Sequence, residues 1–307
     1  MEYLLLARHS ARGNRVDPPG HLQQFAPVRV SIVTPSFRSA QWLPLCIASV
    51  ADQEGVAVEH IVQDSCSDDG TQEILAREPR VRAFIEKDRG MYDAVNRGLT
   101  RATGDVLAYL NCDEQFLPGA LKAVSDHFEA NPHLDAIVSD TIVTDTRGDY
   151  ICHRCALAPG KHQMWVRFPV LTCALFIRSK VFQGMGIRCD TAWRALGDWV
   201  WVMEMVRRGV RFGVLPVMTS TFADTGDNLC LHPAALEERA RKWAMAPGWV
   251  RMMKYPFILK YRLQLAARGA MNYKPFDYSL HTLESPARRV TKHAANPSSF
   301  WNRRPSV

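Results

Sequence analysis

Three acidic clusters in this chain each follow a run of apolar residues. Asp64 closes Ile61-Val62-Gln63-Asp64. Asp88 follows Phe84-Ile85-Glu86-Lys87. Asn111-Cys112-Asp113-Glu114 follows Val106-Leu107-Ala108-Tyr109-Leu110. Carboxylates gathered in one place repel unless a cation or hydrogen-bond donors sit among them. The clusters therefore read as a site that meets cations or polar ligands. The chain has no GxGxxG after its first apolar run and no GxxxxGK[ST], so phosphate would have to be held by metal and side chains rather than by a glycine loop. HExxH and GxSxG are missing too. A further carboxylate, Asp198, stands directly before an apolar run of helical period. There it competes with the plain role of a helix N-cap. Asp64 has a comparable rival role as an Asx turn closing a strand, and Asp224 and Asp227 read as loop carboxylates.

These residues need elements to position them. Val28 to Thr34 alternates apolar and polar, as a strand does, and is expected to stop at Pro35. Leu43, Cys46, Ile47 and Val50 recur at helical spacing. Val58 to Val62 is a second strand, ending at Asp64. Ser67-Asp68-Asp69-Gly70-Thr71 is turn and cap chemistry before a short helix. Val81 to Ile85 is a third strand. Met91, Ala94, Val95, Gly98 and Leu99 mark a helix face closed by Gly104, and Val106 to Leu110 a fourth strand. Leu117, Leu121, Val124 and Phe128 mark the next helix. This alternation predicts an α/β fold, a mainly parallel sheet flanked by helices. Such sheets bind ligands beyond the carboxyl ends of their strands, where the acidic clusters fall. Residues 135–155 read as strand and hairpin, and 171–183 as a strand leading into a short helix. Trp199, Val202, Met205 and Val206 form a helix face stopped by Gly209. Trp193, Trp199 and Trp201 read as core before they read as sugar platforms. Beyond His232 the pattern loosens into Pro-broken helical pieces.

The 307 residues are 47% hydrophobic and 22% charged, the composition of a globular protein rather than a disordered or fibrous one. No apolar stretch approaches the ~18 residues of a membrane span, and the opening MEYLLLARHS, with Glu2 where a leader carries positive charge, does not read as a secretory signal. The eight cysteines are expected to be reduced. Cys152-His153-Arg154-Cys155, without a second pair at zinc spacing, reads as hairpin. The net charge of +7 is uneven: residues 241–307 hold 13 Lys/Arg and 2 Asp/Glu, and the remainder is slightly acidic. Such a tail favours an anionic surface, membrane or nucleic acid. Residues 247–269 mix aromatic and aliphatic side chains with Arg251, Lys254, Lys260, Arg262 and Arg268 and no acid. That composition suits an interfacial helix on an anionic membrane, while simple packing on the rest of the protein competes with it.

Four blocks together resemble the inverting glycosyltransferases of family 2, of the GT-A fold. Val30-Ser31-Ile32-Val33-Thr34-Pro35-Ser36-Phe37 resembles their opening strand. Ile61-Val62-Gln63-Asp64 with Ser67-Asp68-Asp69-Gly70-Thr71 resembles their second strand and loop. Glu86-Lys87-Asp88-Arg89-Gly90-Met91-Tyr92-Asp93-Ala94-Val95-Asn96-Arg97-Gly98 is similar to their D-x-G-x-YDA-x-N-x-G segment, and Leu110-Asn111-Cys112-Asp113-Glu114 to their DxD region. The match in order and spacing covers about residues 28–120 and thins beyond them. The resemblance implies a Rossmann-like GT-A domain over 28–231, with a nucleotide-binding half (28–120) and an acceptor half (121–231). A lead-in of 1–27, expected to be partly disordered, precedes it, and a helical, basic, amphipathic extension over 232–307 follows it. It implies that Thr34, Pro35, Ser36, Asp64, Asp88, Asn96, Asn111 and Cys112 meet the nucleotide and that Asp113 and Glu114 hold Mn2+ or Mg2+. Asp198 becomes the general base, with capping still its rival. Asn111 departs from the strict motif by replacing a charged ligand, which keeps alive the alternative of a degenerate nucleotide- or glycan-binding protein. A sugar nucleotidyltransferase would need a glycine-rich loop where Thr34-Pro35-Ser36-Phe37 stands. The implied partners are a nucleotide-sugar donor and a glycan or lipid-linked acceptor in polysaccharide or glycoconjugate assembly, with an anionic membrane surface and no nucleic acid. The implied location is the cytoplasm, peripherally at the inner face of the membrane.

Overall fold

Strands that carry apolar residues on both faces can only be satisfied between two layers of helix. The computed structural model, which describes residues 28–226 and 228–301, shows this arrangement. In chain order the elements are β1 Arg29–Ser36, α1 Leu43–Ala51, β2 Ala57–Asp64, α2 Thr71–Ala76, β3 Arg82–Ile85, α3 Met91–Arg101, β4 Val106–Tyr109, β5 Glu114–Phe116, α4 Ala120–Ala130, β6 Ala136–Thr144, β7 Tyr150–Arg154, α5 Gln163–Val166, β8 Leu175–Arg178, α6 Gly197–Arg207, β9 Phe212–Ala223, α7 Pro233–Met245, α8 Gly248–Met252, α9 Lys254–Ala267, β10 Phe276–Thr282 and β11 Ser285–Ala294. The expected lead-in 1–27 and Asp227 lie outside the described residues.

The main sheet runs β3-β2-β1-β4-β8-β6-β9-β5, with β7 paired to β6. Its first four strands are parallel. The other half is mixed: β8 is antiparallel to β4 and β6, β9 is parallel to β6, and β5 is antiparallel to β9. On β4, Leu107 and Tyr109 pack with α3 and α6, through Val95, Leu99, Trp201 and Val202. Val106 and Ala108 point the other way, to α1 and α4, through Cys46, Val50, Leu121, Val124 and Phe128. Burying each of the larger side chains contributes about 1.5–3 kcal/mol, so the sheet is held from both faces. α3 can lie close to β1 because residue 98 is glycine: a Cβ there would meet Val33 at 2.3 Å.

Three local expectations are corrected. β1 continues through Pro35 to Ser36. It can do so because β1–β4 pairing ends at Val33↔Tyr109, so the missing N–H of Pro35 costs no ladder bond. Gly104 does not close α3, which ends at Arg101. Its smallness instead lets the chain pass against β1, where a Cβ would meet Arg29 O and Ser31 N at 2.8 Å. Asp198 does not precede α6 but is its second residue.

The C-terminal region is helical only in part. α7, α8 and α9 are followed by the β10–β11 hairpin, whose Tyr278, Leu280 and Ala294 pack on Leu117 and Ile142. Arg289 forks onto Asp52 at 2.7 Å through two nitrogens, and His281 Nε2 lies 3.0 Å from the same carboxylate. Just beyond α9, Arg268 donates to both oxygens of the fully buried Asp140, at 3.1 and 3.2 Å. Tyr273 Oη and the Ala156 N–H complete that cluster. Removing one partner of a buried ion pair leaves the other charge stranded. Arg268→Met is therefore expected to lower the unfolding free energy by about 3 kcal/mol, read from the urea midpoint, and a loss below about 0.5 kcal/mol would show that the pair contributes little.

Candidate active site

The parallel half of the sheet ends on one cleft of about 1270 Å3. Ligand pockets usually enclose about 300–1,000 Å3, so this cleft is larger than most. One wall is built from the ends of β1 and β4, the segment after β3 and the start of α3. The other comes from α5, the first turn of α6, and α7.

Of the residues expected at the site, Pro35, Ser36, Asp88, Asn111, Cys112, Asp113, Glu114 and Asp198 border this cleft. Thr34, Asp64 and Asn96 are not among its lining, and their side chains support it from below and beside. Thr34 is fully buried, its hydroxyl 2.9 Å from His60 Nε2. Asp64, the last residue of an interior strand, turns under the cleft floor. It accepts the hydroxyls of Ser36 at 2.9 Å and Ser67 at 2.7 Å, and the Ser67 N–H at 2.8 Å, so the Asx-turn geometry is present. Asn96 exchanges two hydrogen bonds with the backbone of Cys189, at 2.8 and 2.9 Å. Asp88 accepts the Gly90 N–H at 2.8 Å, and Gly90, with φ +122°, turns the chain into α3. The left-handed backbones of Arg38 (φ 51°) and Cys66 (φ 58°) fall in the loops after β1 and β2. Non-glycine residues in that region cost about 1–3 kcal/mol and gather at functional sites. The thiol of Cys112 donates to Pro35 O at 3.4 Å, and burial pushes it up to about 12, so it is an inert packing group.

Beyond β4, at the start of β5, Glu114 is buried. Its Oε2 accepts the Asn111 N–H at 2.8 Å. Its Oε1 and Asn111 Oδ1 are buried and have no hydrogen-bond partner among the described residues. Burial raises the carboxyls of both Asp113 and Glu114, and the charge of Asp113 raises Glu114 further. Two adjacent acids and an unpaired amide oxygen are an all-oxygen donor set, which suits a hard cation such as Mg2+ or Mn2+. Among the described residues no three His, Cys, Asp or Glu side chains are gathered to hold a metal alone. The remaining positions would fall to ligand oxygens and water, so the residues present fit a cation shared with a phosphate group.

Asp198 lies in the first turn of α6. Its own Oδ1 accepts the adjacent Trp199 N–H at 2.7 Å, while Leu196 occupies the N-cap position and makes no side-chain cap bond. The capping geometry weighed against a base is thus not what is observed. Burial lifts the carboxyl of Asp198 to about 6. Opposite in sign, burial lowers Lys242 on α7 to about 8, while Asp198 pulls it back up. Lys242 lies 4.8 Å from the Trp199 ring centroid. Glu238, one turn earlier on α7, accepts the N–H groups of Arg194, Ala195 and Leu196 at 2.6, 2.9 and 2.8 Å. Beneath them, Gly197 rests on Tyr92, where a Cβ would meet the ring at 2.5 Å. Sequence reading missed Glu238 and Lys242. The signal available was their four-residue spacing on a helical stretch, which places both on one face. Trp193, Trp199 and Trp201 are buried, as expected of core, although Trp199 also borders the cleft. Asp224 accepts the indole N–H of Trp301 at 2.8 Å.

Residues 31–182 match the family model described as glycosyl transferase family 2. The chain belongs to this family. Among its relatives, the succinoglycan biosynthesis protein ExoO of Rhizobium meliloti is 32% identical over 156 residues, 50% of this chain and 42% of that one. The putative teichuronic acid biosynthesis glycosyltransferase TuaG of Bacillus subtilis is 33% identical over 92 residues, 28% of this chain and 36% of the other. The chain thus spans less than half the length of either. S. aureus TarS 1–349, crystallised in complex with UDP-GlcNAc, superposes with a TM-score of 0.55 at 15% identity, covering 79% of each chain. The likeness establishes the fold: an α/β GT-A architecture, Rossmann-like, with helices on both faces of the sheet.

If Glu238 holds the start of α6, Glu238→Ala strands three N–H groups. It should cost about 2 kcal/mol in urea unfolding, with Glu238→Gln, which keeps one acceptor oxygen, recovering part. Equal stability of all three proteins would show that the contact has no structural weight.

Proposed function

We propose that this protein is an inverting, metal-dependent glycosyltransferase. It moves a sugar from a nucleotide-sugar donor to an acceptor hydroxyl in polysaccharide or glycoconjugate assembly, working in the cytoplasm at the inner face of the membrane. The observation that carries the reading is the half-buried Asp198, which faces the same cleft as the half-buried Asp113 and the buried Glu114. The names of the relatives, which concern succinoglycan and teichuronic acid, support the glycan class. TarS was crystallised with UDP and with UDP-GlcNAc, which makes uridine diphosphate sugars the first donors to try.

In this reading the donor's nucleotide lies along Ser36, Phe37 and Asp88. A Mn2+ or Mg2+ ion on Asp113 and Glu114, when bound, would neutralise charge on the departing diphosphate. Asp198 takes the proton from the acceptor hydroxyl, whose oxygen attacks the anomeric carbon from the side opposite the leaving group. The buried surroundings that raise Asp198 also make it a stronger base once deprotonated. Lys242, on the neighbouring helix, supplies positive charge beside the acceptor.

Thermal unfolding with a panel of sugar nucleotides, with and without Mn2+, tests the reading. A donor at about 100 times its Kd should add about 2.7 kcal/mol of stability. No stabilisation by any of them would overturn it. Asp113→Ala should abolish the metal-dependent part of the shift and cut turnover by about 10^2–10^3-fold, the scale of losing a main electrostatic stabiliser.

Asp198→Asn should keep donor binding and lose turnover. In the unsubstituted protein the base works only when deprotonated, so turnover should rise with pH through about 6 and then level off. Turnover by Asp198→Asn within about tenfold of the parent would return Asp198 to a structural role, since general-base catalysis contributes about 10^2–10^4-fold.

A further inference from the structure

Helix α9 is apolar on two opposite sides, and the fold uses only one of them. Phe257, Tyr261 and Leu265 face inward, where α9 lies against α5 and Phe257 meets Trp249 with ring centroids 6.0 Å apart. Tyr255, Leu259 and Leu263, four residues apart, point outward at 75%, 58% and 61% exposure, and Met252 at the end of α8 is 84% exposed. Packing, the plainer explanation of an apolar helix, accounts for the first set and, among the described residues, leaves the second uncovered. Exposed apolar patches of this kind mark interaction surfaces.

Charge selects the occupant. Arg251, Lys254, Lys260 and Arg262 are exposed along the same two helices, and residues 247–269 contain no acid. Arg268, the fifth cation of the stretch, is spent on the internal pair with Asp140. A second copy of the chain meeting this face across a two-fold axis would set the cations against themselves. An anionic bilayer offers the complement: an apolar layer for the Tyr and Leu side chains and headgroup charge for the Lys and Arg. Among the described residues no helix is long and apolar enough to cross a membrane, so the contact is peripheral. The face adjoins the cleft, because Lys254 Nζ lies 5.6 Å from the ring of Trp243, and Trp243 lines the cleft.

We propose that the outer face of α8 and α9 seats the protein on an anionic lipid surface. The acceptor that enters the cleft beside Trp243 is then anchored in that surface, a second step that rests on the sugar-transfer reading above.

The test is co-sedimentation of the full chain with vesicles of phosphatidylcholine alone and of phosphatidylcholine mixed with phosphatidylglycerol. Binding to the mixed vesicles should be at least about tenfold tighter and should weaken as salt screens the charges. Leu259→Glu with Leu263→Glu should reduce that binding by about tenfold or more while leaving the melting temperature and the donor-induced thermal shift in place. Equal binding to both vesicle types, or full binding by the double variant, overturns the proposal. So does a dimer that the same substitutions disperse in a protein that ignores vesicles. The donor-induced shift is measured without lipid, so its failure would count against sugar transfer and leave membrane seating to be judged on the vesicles alone.

Discussion

Two neighbouring carboxyl groups, the half-buried Asp113 and the buried Glu114, set the electrostatics of the cleft. The cleft is organised around them. Charge buried without compensation is expensive, and Glu114 has no easy escape: its backbone is committed to β9 opposite Phe222, and one of its oxygens to the Asn111 N–H. The site therefore favours the arrival of positive charge, or of a proton, at the end of β4. The parallel strands bring β1, β2 and β3 to the same edge, so Ser36 and Asp88 border the same cleft. Asp64 and Thr34 work one layer below, holding the edge in shape.

The facing wall solves a different electrostatic problem. Asp198 and Lys242 sit in the same partly buried space, and burial pushes each toward its neutral form, up to about 6 for the acid and down to about 8 for the amine. Their mutual attraction opposes burial for both. Between the two walls stands Tyr92 on α3, whose hydroxyl donates to Ala195 O at 3.3 Å. α7 reaches over from the C-terminal region to fix the same loop through Glu238, so residues beyond 232 are structurally part of the site.

The parallel half was legible from sequence because β1 alternates apolar and polar residues, β2 carries the apolar pair Ile61-Val62, β4 is apolar throughout, and polar clusters fall at their ends. Which clustered residues line the cleft was not legible. Asp64 and Asn96 belong to recognisable blocks, and the local Asx turn of Asp64 onto Ser67 could be read there, but the bonds of Asp64 with Ser36 and of Asn96 with the Cys189 backbone depend on how distant segments fold together. Pro35 misled because a strand breaker is harmless where its neighbour strand has already ended. The β10–β11 hairpin was missed for a similar reason. Its strands hold through Asp52, Gln115 and Leu117, more than 150 residues earlier, rather than through a strong local pattern.

The contact between Gly197 and Tyr92 has a bearing on how this sequence can change over time. The tyrosine ring occupies the volume into which any side chain at 197 would grow, and the two residues belong to opposite walls of the cleft. Positions 92 and 197 are thus not free to drift separately. A lineage that gains a Cβ at 197 must shrink the ring at 92 or move a helix, and among related sequences the pair should be inherited as one unit.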